Sequence, residues 1–289
     1  MNYFSILDSE MKNILGDPPE MIYHYTGANG LIGILNDSSF WATKSDYLND
    51  PIEEEYGRNI IHEVFSEEAD NIDNKDISKL FRAIAQNIKN KDLQCESNYY
   101  ISSFSENPND LVQWKMYGSN GWGYSIGVRV GDKGISKEHI LPVIYEPNKQ
   151  YQATKKFAEI VRQYFEGADV TPNTLNDAYF HITPALKVLL ICMKQPEYQH
   201  EREWRLVFNP NRKKLSDEII FRVGNNETII PYVKLPVTDG KDNLETIPIG
   251  KIILGPQRNT DHESLKLLIS CSKQNKGICI ENSNIKYRL

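Results

Sequence analysis

Two glutamates, Glu201 and Glu203, flank Arg202 at the start of an apolar segment. Residues two apart on a β-strand point to the same face, so a strand here would place the two carboxylates side by side. Neighbouring carboxylates repel each other unless a cation, a metal ion or a hydroxyl-rich ligand lies against them, or unless water solvates both. Lys194 or Arg205 could supply a structural ion pair. The two glutamates are therefore candidates for catalysis, with an ion pair as the alternative.

A histidine lies between two tyrosines in the segment Tyr23-His24-Tyr25-Thr26. It stands at the end of a short apolar stretch and just before a predicted helix. Because the ends of strands border clefts, we expect the imidazole of His24 to line a cleft and not to pack in a core. Tyr25 and Thr26 follow directly and are candidates to contact the same ligand.

Hydroxyl groups and aromatic rings provide further candidates. Ser103 and Ser105 alternate at the end of a predicted strand, so both side chains point to one face and could line a pocket, although serines at strand ends also form turns. Trp114 and Tyr117 fall on one face of a short predicted helix, where packing in the core is the expected role. Tyr117 is also a candidate for contact with a ligand.

The segment before the second predicted helix combines a helix start with two unexplained side chains. Asp50 suits the N-cap, Pro51 suits the first helical position, and Glu53 suits the closing position of a capping box. Capping explains these three residues completely. Tyr47 and Asn49 are not explained by it and are candidates to face a cleft.

Helices and strands alternate irregularly along the chain. Apolar periodicity predicts helices over 1–17, around 31–35, from 50 onwards, and over 76–89, 154–165, 175–193 and 263–270. Strands are predicted at 21–25, 99–104, 124–130, 140–145, 203–208, 219–223, 228–235, 251–254 and 278–280. This order lacks the regular alternation of a parallel α/β protein. It predicts an α+β fold with a mixed, mostly antiparallel sheet flanked by helices.

Composition and charge narrow the class of protein. The chain has 289 residues, 40% of them apolar, and a net charge of −6, so no global basic field attracts nucleic acid or anionic lipid. No run of 18 apolar residues occurs, which predicts that the chain does not cross a membrane. The four cysteines form no C-x-x-C pair, which argues against a zinc site and a disulfide scaffold. We expect a cytoplasmic protein with reduced thiols.

Six short motifs resemble, in type and order, those of a bacterial family of unknown function. They are His24-Tyr25-Thr26, Asn49-Asp50-Pro51-Ile52-Glu53, Ser103-Phe104-Ser105, Trp114 with Tyr117, Val143-Ile144-Tyr145 and Glu201-Arg202-Glu203-Trp204-Arg205. The resemblance covers about residues 20–255. It implies a single domain over 1–289, in which a family core over 20–255 follows an N-terminal helix over 1–17 and precedes a C-terminal helix and strand over 256–289.

The same order of motifs resembles the ADP-ribosyltransferase superfamily, in which a split pair of small sheets holds NAD. The resemblance implies that His24 hydrogen bonds a ribose and that Ser103 and Ser105 lie near the nicotinamide. It also implies that Glu203, accompanied by Glu201, bonds the ribose hydroxyl and stabilises an oxocarbenium-like transition state. The middle motif differs in Phe104, where the superfamily has threonine, and His24 stands where arginine is the usual partner of a Glu-x-Glu pair.

The expected function is therefore cleavage of the nicotinamide–ribose bond of NAD and transfer of ADP-ribose to an unknown acceptor, a protein or a nucleic acid. Such an enzyme could act as a toxin or in phage defence. NAD is the substrate, no metal is expected, and catalysis is assigned to Glu203, Glu201 and His24. The expected NAD-binding residues, besides His24 and the two serines, are Tyr25, Thr26, Tyr47, Asn49 and Tyr117.

Two alternatives belong to other classes. A metal-dependent nuclease or hydrolase could use the carboxylates of Asp46, Asp50, Glu201 and Glu203 with His24, although their spacing matches no compact metal motif. A binding module could recognise a nucleotide or a peptide in an aromatic cleft without chemistry. Such a module would leave the paired glutamates unexplained.

Overall fold

The computed structural model describes residues 16–48, 53–90, 99–132, 134–137, 140–165, 182–183, 185–208, 219–224, 227–236, 246–257, 262–272 and 277–286. Its helices are α1 (Ala28–Asp37), α2 (Glu53–Asp70), α3 (Lys75–Lys89), α4 (Leu111–Met116), α5 (Pro147–Phe165) and α6 (His262–Cys271). Its strands are β1 (Met21–Thr26), β2 (Ser39–Lys44), β3 (Tyr100–Ser105), β4 (Tyr124–Arg129), β5 (Ile140–Pro142), β6 (Glu203–Phe208), β7 (Ile220–Val223), β8 (Ile229–Pro236), β9 (Ile249–Leu254) and β10 (Cys279–Asn282). Residues 185–191 are also helical.

The described chain forms two compact units. The helical unit is built from segments within Asn49–Ser97 and Val143–His200, and the sheet unit from segments within Asp17–Leu48, Asn98–Pro142 and Glu201–Leu289. In the helical unit, α2 packs against α3 and α5 around an apolar core that includes Phe65, Phe81 and Phe157. Burial of these large side chains is the main contribution that holds the three helices together.

Two buried polar contacts order the helical unit. The Gln150 side chain donates to the carbonyl oxygens of Ile144 and Lys194, at 2.6 and 2.8 Å, and accepts from the Tyr56 hydroxyl at 2.8 Å. The buried ammonium group of Lys194 lies 3.7 Å from a carboxylate oxygen of Glu53. Hydrogen bonds to buried carbonyls are what allow loop backbone to enter a core.

The sheet unit contains one ten-stranded sheet in the order β10-β9-β4-β1-β3-β2-β8-β7, with β6 paired to β3 and β5 paired to β6. Neighbouring strands are antiparallel except for β9 and β10, which are parallel. Alternation along the strands gives the sheet two different faces. The core face carries Phe104 and its strand partner Trp204, which pack in an apolar core beneath α1 and α6. We call the opposite face the polar face, because it carries Ser103, Ser105, Glu203 and Arg205.

The sheet branches at β3, because β1 and β2 share one edge of this strand. Tyr23 of β1 pairs with Ser105, whereas Thr43 of β2 pairs with Ile101. Ser103 lies between these two pairings and has no strand partner on this edge among the described residues. We call this position the fork. It leaves a backbone carbonyl of a central strand that another group must satisfy.

Backbone segments pack directly on one another beyond the end of β1, at a place that we call the glycine junction, formed by Gly118, Gly121, Gly123 and Gly255. The amide of Gly123 donates to the Gly118 carbonyl at 2.8 Å, and that of Gly255 donates to the Gly123 carbonyl at 3.0 Å. A Cβ at Gly123 would lie 2.3 Å from the Thr26 carbonyl oxygen. A Cβ at Gly255 would lie 2.3 Å from the Gly121 carbonyl oxygen. Only glycine allows this close approach.

The predicted mixture of helices with a mostly antiparallel sheet is confirmed. The strand predicted over 140–145 is shorter and ends at Pro142, and the helix predicted from 154 begins earlier, at Pro147, where proline suits the first helical turn. Strand β2 was not predicted, because its Phe-Trp-Ala run shows no polar alternation. The predicted N-terminal helix lies outside the described residues, and the helix predicted over 175–193 lies partly outside them.

Candidate functional site

Glu203 and Arg205 form a buried ion pair on the polar face of β6. The Arg205 guanidinium donates from Nε and Nη2 to the two carboxylate oxygens, both at 2.9 Å. Only 7% of Glu203 and 2% of Arg205 is exposed. The two residues lie two apart on one strand, so they project to the same face. A bidentate pair of this kind fixes both side chains, and loss of one partner leaves the other charge buried.

Glu201 does not lie on the strand, contrary to the prediction. It ends the 3-10 helix Pro196–Glu201, and the strand begins only at Glu203. Between them, Arg202 has a φ of 44°, in the left-handed region, which breaks the extended path that the alternation argument requires. The two carboxylates therefore enter the site from different elements, and a single strand does not present both.

Hydrogen bonds connect Glu201 to β3 and to α4. The Ser105 hydroxyl donates to the Glu201 carbonyl oxygen at 2.6 Å, and the Tyr117 hydroxyl donates to its carboxylate at 2.9 Å. Ser105 is also the strand partner of Glu203. Glu201 is 6% exposed. Ser105 thus holds the backbone of one glutamate while its strand positions the other.

Helix α4 determines the position of Tyr117. Asp110 caps the helix by accepting from the amides of Val112 and Gln113. Trp114 is fully buried, as predicted for a packing residue, and its indole nitrogen donates to Asn109 at 2.7 Å. Tyr117 follows the last helical residue, where its hydroxyl reaches Glu201.

His24 satisfies the backbone at the fork. Its Nδ1 donates to the carbonyl oxygen of Ser103 at 2.8 Å, and its ring contacts Phe40 and Phe104 on the core face. Burial lowers the pKa of the imidazole, and the positive charge of Arg222 lowers it further, against the opposing effect of the Ser103 carbonyl. The neutral ring therefore carries its proton on Nδ1, which leaves Nε2 as a hydrogen-bond acceptor. No described residue hydrogen bonds Nε2.

Tyr25, predicted to contact a ligand, packs beside α4. The Tyr25 hydroxyl donates to the Asn107 carbonyl at 2.8 Å and accepts from the Asp110 amide at 3.0 Å, and its ring packs edge-on against Trp114. Burial raises the pKa of Tyr25. This side chain is engaged in packing and in holding the start of α4, with its hydroxyl already occupied.

Three further residues predicted to bind NAD, Thr26, Tyr47 and Asn49, are not among the hydrogen-bonded groups described above. Thr26 is the last residue of β1 and is half-buried. Tyr47 ends the 3-10 helix after β2 and is 48% exposed. Asn49 lies outside the described residues, as does Asp50, so the predicted capping box of α2 is described only at Glu53.

The structure brings the three predicted catalytic residues, His24, Glu201 and Glu203, to positions around β3. His24 donates to the Ser103 carbonyl, and Glu203 pairs in register with Ser105. Glu201 accepts from the hydroxyls of Ser105 and Tyr117. The imidazole of His24 lies on the core face, however, whereas Glu203 lies on the polar face. The side chains of His24 and Glu203 therefore project from opposite faces of the sheet.

Arg222 is a residue that the sequence did not single out. Its Nη2 donates to the Thr43 hydroxyl at 2.9 Å, and its guanidinium lies 6.0 Å from the centre of the Tyr232 ring. The residue as a whole is exposed, but its guanidinium end is tucked against these side chains, and this burial lowers its pKa. The signal that locates it is long-range strand pairing, which a single sequence does not display.

Metal-binding clusters and membrane-spanning helices are both absent from the part of the chain that the structure describes. No group of three or more His, Cys, Asp or Glu side chains in this part of the chain is arranged to hold a metal ion. None of the described helices combines the length and the apolar character needed to cross a membrane.

Comparison with protein families gives one similarity. Residues 113–206 match a family described as a protein of unknown function, DUF2971. The matched stretch contains Trp114, Tyr117, Glu201 and Glu203, and it does not reach His24 or Ser103. Curated proteins gave no significant match, and solved structures gave none either. The chain is thus similar, over about a third of its length, to proteins whose function is itself unknown.

Proposed function

We propose that this protein binds NAD at the fork and cleaves its nicotinamide–ribose bond, with transfer of ADP-ribose to an acceptor. The observation that carries the proposal is that two buried glutamates, Glu201 and Glu203, meet at the end of β3. The same strand carries the Ser103 carbonyl to which His24 donates. Buried carboxylates are costly, and proteins commonly place them where chemistry requires them.

The carboxylates supply the charge that this reaction needs. Departure of nicotinamide leaves positive charge on the ribose, and a fixed carboxylate beside the sugar stabilises that charge more than it stabilises the substrate. Glu201, held by Tyr117, suits this role, and Glu203 suits a role beside it. The same carboxylate can accept a proton from the incoming nucleophile.

His24 suits a role in binding. Because its Nδ1 donates to Ser103, the neutral ring offers Nε2 as an acceptor for a ribose hydroxyl. In this proposal the fork corresponds to the split between sheets in the ADP-ribosyltransferase superfamily. An acceptor on a protein or a nucleic acid, and a role as a toxin or in phage defence, belong to the same proposal by analogy with that superfamily.

One observation favours a second candidate, a module that binds a nucleotide without chemistry. Both carboxylate oxygens of Glu203 accept hydrogen bonds from Arg205. A carboxylate neutralised by a guanidinium stabilises a cationic transition state less than an unpaired one does. In the binding module, Glu203 and Arg205 would serve only to hold the polar face.

The deciding experiment measures nicotinamide release from NAD by the purified full chain, with and without cell lysate as a source of acceptors. We expect Glu201→Gln and Glu203→Gln to lower release about a hundredfold or more, since each removes negative charge from the reacting sugar. The matched control is Glu263→Gln, because Glu263 is exposed on α6 in the same unit.

Thermal unfolding of every variant separates loss of chemistry from loss of fold. Normal melting of Glu201→Gln with abolished release supports the proposal, whereas Glu203→Gln is expected to melt earlier because it leaves Arg205 buried without this partner. NAD binding by calorimetry without release in any fraction would support the binding module instead. Neither binding nor release by the wild-type protein would contradict both candidates.

A further inference from the structure

We infer that Arg222, held by Thr43 and Tyr232, binds a phosphate group of a nucleotide ligand on the polar face of the sheet. The inference deepens the proposed function and rests on it for the identity of the nucleotide. It assigns a cationic partner to the part of NAD that neither the glutamates nor His24 can bind.

Arg222 lies in line with the site residues. Its neighbour two positions away, Ile220, pairs with Tyr232, Tyr232 pairs with Thr43, and Thr43 pairs with Ile101. Partners in register project to one face, so Arg222 shares the polar face with Ser103, which lies two residues after Ile101. The fork and Arg222 are therefore separated only by the width of β2 and β8.

The charge of Arg222 has no carboxylate partner among the described residues. Its contacts are the Thr43 hydroxyl and the Tyr232 ring. Other cations on neighbouring strands differ in this respect, because Lys44 lies 2.7 Å from Asp46 and Lys234 lies 2.8 Å from Asp37. A partly desolvated guanidinium without a counter-ion is a favourable place for an anion.

The geometry of the guanidinium suits phosphate. Thr43 is buried, and its hydroxyl accepts only one of the five N–H donors of Arg222, so it fixes the group without consuming it. Phosphate oxygens accept two parallel N–H bonds from arginine, an arrangement that lysine cannot reproduce. Ser103, half-buried at the fork, can add a hydroxyl donor.

The test is calorimetric titration of the full chain with ADP-ribose, pyrophosphate and adenosine. For Arg222→Gln we expect the Kd for ADP-ribose to rise about tenfold to a hundredfold, the loss expected for a charged hydrogen-bonded pair. Binding of adenosine should stay unchanged because it has no phosphate. Arg222→Lys should recover part of the loss. Arg129→Gln, at an exposed arginine on β4, is the control and should bind like the wild type.

The outcomes separate this inference from the proposed function. Loss of ADP-ribose affinity in Arg222→Gln without any nicotinamide release by the wild type would uphold the phosphate site and contradict the enzyme. Nicotinamide release by the wild type, with unchanged ADP-ribose affinity in Arg222→Gln, would support the enzyme and contradict the phosphate site. Equal weakening of adenosine and ADP-ribose, or no binding of either by the wild type, would overturn the inference.

Discussion

At the scale of single residues, the site contains a histidine that hydrogen bonds a strand carbonyl and an ion pair whose two charges neutralise each other. His24 occupies a hydrogen-bonding position that a strand would otherwise fill, and Arg205 occupies both oxygens of Glu203. The His24 hydrogen bond and the Glu203–Arg205 ion pair can each stabilise the fold as well as contact a ligand. Experiments at these residues must therefore measure stability and activity separately.

The lowered pKa of His24 predicts how stability depends on pH. The unfolded chain binds a proton near the ordinary value of 6.5, whereas the native protein binds it only at lower pH. Between these two values the unfolded state holds more protons, so the free energy of unfolding falls as the pH drops below about 6.5. Above that value the contribution is fully present.

Urea denaturation at pH 7.5 and pH 5.5 measures this dependence. We expect His24→Gln to show a smaller change between the two pH values than the wild type, while His262→Gln, at a half-buried histidine on α6, is the matched control and keeps the full change. An identical pH dependence in His24→Gln and the wild type would show that another group titrates.

Substitutions in the pair of Glu203 and Arg205 can separate a role in stability from a role in catalysis. Glu203→Gln removes a charge and leaves Arg205 buried, so we expect the free energy of unfolding to fall by about 3–5 kcal/mol. The double variant Glu203→Leu with Arg205→Met replaces both charges by apolar groups and should recover most of this stability. Chemical denaturation measures both effects.

Activity of that double variant then decides between catalysis and structure. Recovered stability with absent nicotinamide release would assign Glu203 to the reaction. Recovery of both stability and release would make the pair structural and leave Glu201 as the remaining acid.

At the scale of elements, α4 is held from two sides before it presents Tyr117 to Glu201. Asn109 accepts from the indole of Trp114 and from the hydroxyl of Ser283, both at 2.7 Å, and donates to Asn284 at 2.7 Å. The segment after β10 is thereby tied to the start of the helix. Ile285 in this segment also packs against the Tyr25 and Trp114 cluster.

Substitution at Asn109 tests whether these ties position α4. Asn109→Ala leaves the buried indole N–H unpaired, at a cost of about 1–3 kcal/mol, and should shift the indole N–H signal of Trp114 in a tryptophan-labelled NMR spectrum. Asn109→Asp keeps both accepted bonds and should retain the signal near its wild-type position. An unmoved Trp114 signal in Asn109→Ala would refute the role.

Local patterns in the sequence were sufficient to predict most of the described helices and strands. The pattern Glu-Trp-Arg-Leu-Val-Phe predicted β6 correctly, and alternation predicted that Ser103 and Ser105 share one face of β3. The pairing of Ser105 with Glu203 was not predicted. The alternation failed at Arg202, because a left-handed φ leaves no signature when the residue is neither glycine nor asparagine. Strand pairing over more than a hundred residues brought Arg222 to Thr43, and no local pattern predicts it.

At the scale of the whole molecule, the chain passes back and forth between its two units. The stretch similar to the family of unknown function includes β4 and parts of α4 and β6 from the sheet unit, and α5 from the helical unit. It omits β1 and β9, the two neighbours of β4, and β3, a neighbour of β6. Sequence similarity and structural units therefore have different boundaries in this protein.

An excised fragment of residues 113–206 is predicted not to fold. Its strands would expose unpaired edges, and its helices would lack α2 and α3, which complete their core. Far-ultraviolet circular dichroism on heating should show no cooperative transition, in contrast to the full chain. A dispersed amide spectrum from the fragment would show instead that this stretch is an independent domain.

The glycine junction has a consequence for the recognition of relatives. Because carbonyl oxygens occupy the space of a Cβ at Gly123 and Gly255, these glycines record a contact between two backbones, and chain flexibility is not the reason for them. A sequence that keeps glycine at both places can still bring these backbone segments together at the end of β1, even where the acids have changed.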